Sequence, residues 1–372
     1  MNITSLRRPA AVTAAVALGL SLAACGAANE DSGSGSDDSS GSASSLSGTL
    51  NGGGASSQEA AQGAWRAGFQ QANPDVTVNY DPIGSGGGRE QFISGGFPFA
   101  GSDSYLTDDE GELTKATERC DGDAPIEVPN YVSPIAVIYN LEGVDSLQLS
   151  PSTLASIFAG DITTWDDQAI ARDNPDVDLP SETISPVHRS DESGTTGNFT
   201  NYLSTVAPDE WTYGEVETWP IKSGEGASGT SGVVAAVTNG ADTIGYADAS
   251  QAGDLGKASI GVGDAFAQPT PEAAAKILEV SPQAKSDSDN ELVFDLDYTT
   301  EEAGVYPIVL SSYLIACPSY SDKTEGDLVK AYLGYIVSDD GQATAAENAG
   351  SAPLPTNIAQ QAQSIVDGIT VG

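Results

Sequence analysis

The chain has 372 residues and a formal net charge of −39, because 53 Asp and Glu outnumber 14 Lys and Arg. This balance argues against nucleic acid as a partner, since binding to phosphates needs clustered basic side chains that this chain lacks. The stretch from Gly48 to Gly372 is too long for one small hydrophobic core and suits two lobes of ordinary domain size.

The N-terminus predicts export and a lipid anchor. A basic pair precedes an apolar run over residues 9–22, which is shorter than the roughly 20 apolar residues that cross a membrane. The ending Leu22-Ala23-Ala24-Cys25 is typical of a bacterial lipoprotein signal. Residues 1–24 are therefore expected to be removed, and Cys25 to carry the acyl chains that anchor an extracytoplasmic protein to the cell membrane. An ordinary secretory signal with a buried Cys nearby is the alternative.

A flexible linker is predicted to follow the signal. Residues 25–47 consist mostly of Gly, Ser, Ala, Asp and Asn, which bury too little apolar area to offset their chain entropy. The folded part is therefore expected to begin at Gly48.

Predicted helices and strands alternate along the folded part. Ala61, Trp65 and Phe69 form an apolar stripe that predicts a helix over residues 59–71, and an apolar run predicts a buried strand over residues 131–141. Further helices are predicted at 89–94, from Pro151 onward, at 195–203, 231–237 and 326–336, and strands at 76–80, 243–246 and 306–316. The alternation predicts an α/β fold with mostly parallel sheets and with ligand loops at the strand ends.

Two cysteines besides Cys25 are predicted to form a disulfide. Cys120 and Cys317 belong to a chain that carries an export signal, and disulfides persist in oxidising compartments. The bond would bring an early and a late segment into one lobe. Two separate buried thiols are the alternative.

Four loops combine glycine with hydroxyl side chains, and three of them precede a predicted helix. They comprise residues 51–57, 83–88, 189–195 and 226–232. Glycine lets the backbone approach a ligand closely, and the free N–H groups and the dipole of a helix N-terminus bind oxyanions. Each loop alone is typical of a plain turn, but their repetition before helices predicts an anion site.

These segments, in this order, resemble the substrate-binding proteins of bacterial Pst-type phosphate ABC transporters. The likeness covers nearly all of the chain after the linker and is carried by residues 52–57, Gly84-Ser85-Gly86-Gly87, Phe99-Ala100-Gly101-Ser102-Asp103, and residues 154–170, 189–195, 240–246 and 352–355. It implies a two-lobed periplasmic-binding-protein-like α/β fold of type II, with a hinge and a ligand cleft between the lobes. Lobe 1 is then expected to comprise residues 48–133 and 308–372, and lobe 2 residues 134–307.

The resemblance also implies a ligand and the residues that bind it. Inorganic phosphate is expected to contact Ser56, Ser57, Ser85, Asp103, Arg189, Ser193, Gly194 and Thr195. The protein is expected to be a monomer that delivers phosphate to a membrane permease and its ATPase. No enzymatic activity, cofactor or metal is expected. Two departures from the family concern Ser57, which stands in place of an aromatic residue, and Glu192, which adds a carboxylate beside the anion.

Arg189 and Asp103 have the most specific tasks in this expected site. The guanidinium of Arg189 is a planar fork of donors that suits two phosphate oxygens, although pairing with Asp191 is the alternative. The Asp103 carboxylate repels an anion unless the ligand brings a proton. It is therefore expected to accept the O–H of hydrogen phosphate and to reject sulfate, which has no proton to share.

Other functions stay open on sequence alone. Ser193, His188 and Asp191 are the ingredients of a serine hydrolase or phosphatase. Catalytic triads, however, gather residues from separate elements, whereas these three lie on one short segment. The same architecture would also suit another oxyanion, such as sulfate, molybdate or an organic phosphate, and a surface adhesin or sensor.

Overall fold

The computed structural model describes residues 46–222 and 224–372. The predicted signal, Cys25 and all but the last residues of the predicted linker lie outside the described residues. The strands are β1 (Gly48–Gly54), β2 (Val76–Asp81), β3 (Phe99–Ser102), β4 (Ile126–Asn140), β5 (Gln148–Leu149), β6 (Ser185–Arg189), β7 (Glu225–Ala227), β8 (Thr243–Asp248), β9 (Gly256–Lys257), β10 (Ser259–Val262), β11 (Ala265–Ala267), β12 (Val309–Ala316), β13 (Ser319–Tyr320) and β14 (Thr370–Val371).

The α-helices cover the sheets and connect most of the strands. They are α1 (Glu59–Ala72), α2 (Ser85–Ile93), α3 (Glu112–Arg119), α4 (Pro151–Ala159), α5 (Gln168–Asp173), α6 (Gly194–Val206), α7 (Gly229–Asn239), α8 (Pro271–Val280), α9 (Lys323–Val337), α10 (Asp339–Ala349) and α11 (Thr356–Asp367). Of the helices described, none combines the length and the apolarity needed to cross a bilayer.

One large mixed sheet organises the fold. Eight of its nine strands follow the order β2-β1-β3-β12-β4-β8-β6-β7, and β9 pairs with β4. The outer pairs of this sheet are parallel, whereas β12 and β4 run antiparallel to each other and to their outer neighbours β3 and β8. The prediction of mostly parallel sheets is therefore wrong for the centre. Pairing direction depends on where distant strands meet, which alternation along the sequence does not specify.

Strand β4 lies in the middle of this sheet and pairs with a different neighbour along each part of its length. Its first part, up to Pro134, pairs with β12, and its second part, from Ile135, pairs with β8. We call β1, β2, β3 and β12 with α1–α3 and α9–α11 the first half, and β5–β11 with α4–α8 the second half. The loops that follow β1, β3 and β6 lie where these halves meet.

The predicted apolar stripe of α1 is buried. Trp65 has no exposed surface, and its indole N–H donates to the carbonyl oxygen of Gly341 on α10 at 2.7 Å. The predicted strand over residues 131–141 also exists, but as β4 it begins at Ile126. Each predicted helix and strand therefore has a counterpart, with boundaries that differ by a few residues.

Cys120 and Cys317 form a disulfide, as the sequence predicts. Their Cα atoms lie 5.3 Å apart across a sequence separation of 197 residues. The bond joins the end of α3 to the end of β12, so both partners belong to the first half.

Candidate anion-binding site

The first predicted loop places two buried serines at the end of β1. At Gly54, φ is 136°, and a Cβ atom would collide with the carbonyl oxygen of Gly101 on β3. Glycine is therefore required for β1 and β3 to lie this close. The chain then makes one 3₁₀ turn through Ser56 and Ser57 into α1, and both serines are buried.

The second loop contributes Ser85, the first residue of α2. The helix begins four residues before the predicted position, so the glycine-rich segment forms its first turn. The Ser85 hydroxyl accepts the backbone N–H of Asp103 at 3.1 Å. This bond fixes the start of α2 against the loop that follows β3.

Asp103 is the centre of the site. Its carboxylate is buried and accepts hydroxyl protons from Ser57 at 2.7 and 2.9 Å, from Thr195 at 2.9 Å and from Ser312 at 2.6 Å. Thr195 lies on α6 in the second half, whereas Ser57 and Ser312 belong to the first. The carboxylate therefore joins the two halves directly.

The environment of Asp103 acts on its pKa in two directions. Burial penalises the charged form and raises the pKa above its ordinary value. The hydrogen bonds from Ser312, Ser57 and Thr195 and the positive charge of Arg189 lower it without cancelling that effect. The hydroxyl donors therefore favour the ionised carboxylate in a place where burial opposes it.

Arg189 ends β6 and is almost fully buried. Its Nε donates to Asp191 Oδ1 at 2.8 Å, and its Nη2 donates to the other carboxylate oxygen. Burial opposes ionisation of Asp191, but the bonds and charge of Arg189 outweigh it, and the pKa of Asp191 lies below its usual value. The pairing considered in the sequence analysis thus exists, at a buried position. No hydrogen bond among the described residues uses Nη1 of Arg189. The Arg189–Asp191 pair lies against Gly84, where φ is 93° and a Cβ atom would come within 2.9 Å of the Asp191 carboxylate.

The third loop begins α6. The Ser193 hydroxyl caps the helix by accepting the N–H of Thr196 at 3.2 Å. A Cβ atom on Gly194 would lie 2.7 Å from the Ser85 hydroxyl oxygen and 2.8 Å from Cβ of Asp103. Only glycine therefore allows α6 to approach both first-half residues. All eight predicted ligand residues consequently lie in one region, although Ser57, Ser85 and Thr195 are the only three that hydrogen-bond to Asp103 in the described part of the chain.

Two side chains that were not predicted as ligands also reach this region. Thr230 is the second residue of α7, and its N–H donates to the Ser56 hydroxyl at 3.1 Å across the halves. It belongs to the fourth glycine-rich loop, so the sequence signal for it was present. Ser312 gave a weaker signal, as one of two adjacent serines within an apolar strand.

A cavity of about 610 Å³ adjoins Asp103. Its wall carries Arg89 and eight carboxylates. The carboxylates are those of Asp103, Asp109, Glu110, Glu112, Glu192, Glu215, Glu217 and Asp295. The Glu192 side chain is 52% exposed, and its nearer oxygen lies 3.8 Å from Arg89 Nη2. The extra carboxylate of Glu192 therefore points toward the cavity.

The three ingredients of a hydrolase are used in other ways. His188 Nδ1 lies 2.9 Å from the carbonyl oxygen of Arg189, and the ring stacks on Trp219 at 4.9 Å between centroids. Asp191 binds Arg189, and Ser193 caps α6. Among the described residues, no hydrogen bond joins His188, Ser193 and Asp191, and no group of His, Cys, Asp and Glu has the arrangement of a metal site.

Comparisons with known proteins identify the fold. Residues 39–340 match the family described as the PBP superfamily domain. A solved high affinity periplasmic phosphate-binding protein (PfluDING), bound with phosphate, superimposes with a TM-score of 0.70 at 23% identity, over 85% of this chain and 93% of that one. The fold is therefore that of the periplasmic-binding-protein class.

Two curated relatives are similar over almost the whole chain. Phosphate-binding protein PstS3 of Mycobacterium bovis (strain BCG / Pasteur 1173P2) is 38% identical, covering 97% of this chain and 98% of the relative. Phosphate-binding protein PstS2 of the same strain is 34% identical, covering 98% and 99%. The chain belongs to the PstS family of the PBP superfamily.

Proposed function

We propose that this protein binds inorganic phosphate between its two halves and delivers it to an ABC-type phosphate importer. The relatives named above are phosphate-binding proteins, and the solved neighbour was captured with phosphate. The observation that carries the proposal is the buried carboxylate of Asp103, bonded by hydroxyls of both halves. A ligand that replaces those bonds would hold the halves together.

The residues proposed to contact phosphate supply neutral donors, one cation and one acceptor. They are Ser56, Ser57, Ser85, Asp103, Arg189, Ser193, Gly194 and Thr195. Arg189 would bind phosphate through Nη1, because Asp191 already occupies the edge of the guanidinium formed by Nε and Nη2. Charge-assisted bonds of this kind are about twice as strong as neutral ones. No chemical step is required of any residue, so the proposed role is binding without catalysis.

Asp103 would give the site its selectivity. A buried carboxylate facing sulfate would set two acceptors against each other, whereas hydrogen phosphate can donate its proton. Leaving a buried polar group without a partner costs roughly 1–3 kcal/mol, and more when the group is charged. Sites built on such a bond discriminate by roughly 10⁴.

Lobe closure would report the bound ligand to the importer. The change of partner along β4 between Pro134 and Ile135 supports a lobe of residues 48–133 and 308–372 and a lobe of residues 134–307, joined by a hinge. Because the ligand contacts both lobes only when they are closed, it favours that state by its differential affinity. The partner is then a permease with its ATPase that recognises the closed, monomeric protein.

A lipid anchor at Cys25 would keep the protein beside that importer. Removal of residues 1–24 would leave Cys25 as the mature N-terminus, and residues 25–47 would serve as the tether. Mass spectrometry of the mature N-terminus tests the modification. An unmodified Cys25 would contradict this part of the proposal.

Isothermal titration of the purified protein with phosphate, sulfate and molybdate tests the function. We expect phosphate to bind and sulfate to be rejected, and we expect Asp103→Asn to reduce the phosphate preference at least about 100-fold. The matched control is Asp109→Asn, an exposed carboxylate in the same cavity wall. Failure of phosphate to bind, or unchanged rejection of sulfate by Asp103→Asn, would contradict the proposal.

A further inference from the structure

Ser312 reaches Asp103 from the core of the first half. It lies on β12, has no exposed surface and donates to Asp103 Oδ1 at 2.6 Å. The carbonyl oxygen of Ser102 is the other acceptor within reach, at 3.3 Å. Ser312 is not one of the proposed phosphate ligands, so its bond to Asp103 can persist when an anion occupies the site.

A chain of buried amides lies behind Ser312. Gln58 Nε2 donates to the Ser312 hydroxyl oxygen at 2.7 Å. Gln58 Oε1 in turn accepts from Gln62 Nε2 at 2.9 Å and from Asn130 Nδ2 at 3.1 Å. Gln62 Oε1 accepts the hydroxyl proton of Tyr332 at 2.7 Å. All these side chains are buried, so water does not compete for the bonds.

A backbone carbonyl fixes the direction of the Gln58 amide. Gln58 Nε2 also lies 3.4 Å from the carbonyl oxygen of Tyr313, which can only accept, so a reversed amide would set two oxygens against each other and lose this bond. Gln58 must therefore present its NH₂ group to Ser312. The Ser312 oxygen then accepts from Gln58, and its own proton is directed to Asp103.

A bulge in β4 supports this arrangement. Ser312 pairs with Tyr131 and Tyr313 pairs with Pro129, so Asn130 has no partner across the ladder. Bulges re-aim side chains, and here the Asn130 amide reaches Gln58. Burying polar groups in a core is costly unless they find partners, and here the amides of Gln58 and Gln62 and the hydroxyls of Ser312 and Tyr332 are all bonded, whereas Asn130 Oδ1 is not. The structure thus maintains an ordered network that ends at a single carboxylate oxygen.

We propose that Ser312 and Gln58 are positioning residues that hold Asp103 as an acceptor only, and that they thereby determine which anions the site takes. The inference rests on the proposed function, because it assigns the origin of the selectivity for a protonated anion. If Asp103 carried its own proton, it would donate a hydrogen bond. The site could then bind a fully deprotonated anion such as sulfate.

The surroundings of Asp103 make its charge sensitive to this network. Burial raises its pKa, and the bond from Ser312 is the foremost of the effects that lower it. The charged and titratable side chains around it are Arg189 on β6, Tyr80 on β2 and those in the wall of the adjoining cavity. The cavity wall contributes Arg89, the seven other carboxylates named above, Tyr105, Tyr298 and Tyr313. Removal of the Ser312 hydroxyl leaves all of these in place. The pKa of Asp103 should then rise, because a donor to the charged form is lost.

Sulfate binding as a function of pH tests the inference. In wild-type protein we expect sulfate to bind only at low pH, where Asp103 is protonated. Loss of one hydrogen bond to a charged group corresponds to about one to two pH units. Ser312→Ala should therefore shift the midpoint of sulfate binding upward by that amount, and Ser312→Thr should restore it. The matched control is Ser311→Ala, since the Ser311 hydroxyl donates to Tyr313 on the same strand.

Infrared spectroscopy of the ligand-free proteins gives a second measurement. The stretch of the protonated carboxyl, identified by its loss in Asp103→Asn, should appear at higher pH in Ser312→Ala than in wild type. If Ser312→Ala does not fold, Gln58→Leu carries the test, because it keeps Ser312 but removes the amide that orients its proton.

The possible outcomes separate the inference from the proposed function. Coincident pH profiles of wild type and variant would overturn the inference, while phosphate binding by both would leave the proposed function standing. A wild-type protein that binds neither anion would overturn both.

Discussion

At the scale of a residue, Glu127 shows how strongly burial acts on a carboxyl group. It lies on β4 with 1% of its surface exposed, and Oε1 accepts the N–H of Leu106 at 2.8 Å, just beyond the Asp103 loop. Burial raises its pKa to about 8, although the bond from Leu106 lowers it. Glu127 is therefore protonated in the folded protein at neutral pH and ionised in the unfolded chain.

We predict that Glu127→Gln changes the pH dependence of stability. Between its ordinary pKa of 4.5 and about 8, the folded wild-type protein binds the extra proton, so its stability falls as pH rises. Gln does not titrate, and the variant should gain up to about 1.4 kcal/mol relative to wild type for each pH unit in this window. Urea unfolding from pH 4 to 9 measures the difference. Glu118→Gln, at an exposed position, is the control, and a difference that stays constant with pH would refute the prediction.

At the scale of elements, α2 of the first half is bound to the segment between α6 and β7 of the second. Arg89 donates to both Glu217 oxygens at 3.2 and 2.7 Å and to Glu112 at 2.8 Å. Ser104 also donates to Glu217 at 2.5 Å. The backbone oxygen of Glu217 accepts the N–H of Ser193, the residue that caps α6. The ion pair therefore connects the two halves next to the candidate site.

We predict that Glu217→Gln accelerates phosphate release about 10- to 100-fold. The substitution removes one of the two carboxylates that hydrogen-bond the buried Arg89, so Glu112 alone compensates the guanidinium only in part, and here the cost falls only on the closed state. Stopped-flow dissociation measures the rate, and titration measures the affinity. Glu215→Gln, on the same segment and in the same cavity wall, should release phosphate as wild type does. Equal rates for both variants would contradict the prediction.

At the scale of the whole molecule, β4 and the disulfide hold distant segments together. β4 runs through both halves and so connects them by a continuous strand. The Cys120–Cys317 bond closes a separation of 197 residues within the first half, and the second half lies inside that loop. Cross-linking positions so far apart restricts the unfolded chain strongly.

We predict that the double variant Cys120→Ser/Cys317→Ser loses about 2–4 kcal/mol of unfolding free energy. Guanidinium unfolding under oxidising conditions measures the loss. Phosphate affinity should be unchanged, because neither cysteine lies near Asp103 or Arg189. An unfolding midpoint of the variant equal to that of wild type would contradict a stabilising role of the disulfide. A further fall of the variant's midpoint on adding reducing agent would also contradict it.

The sequence predicted most elements because their signals are local. The apolar stripe of α1 and the Ser150-Pro151 start of α4 depend on residues within a few turns of each other. The start of α2 was misplaced because glycine has a low helix propensity, and contact with β3 and the second half stabilises that turn. Strand direction in the centre of the sheet had no local signal at all.

By itself, the sequence determined the candidate anion loops, because glycine and serine before a helix have the same effect wherever the helix lies. Only the tertiary structure decided what lies behind them. Ser312 is 209 residues from Asp103, and Gln58 is 254 residues from Ser312. Such partners meet through the packing of β12 between β3 and β4, and no pattern within either segment specifies the other. The ligand loops are thus encoded locally, whereas the charge state of their central carboxylate depends on the fold as a whole.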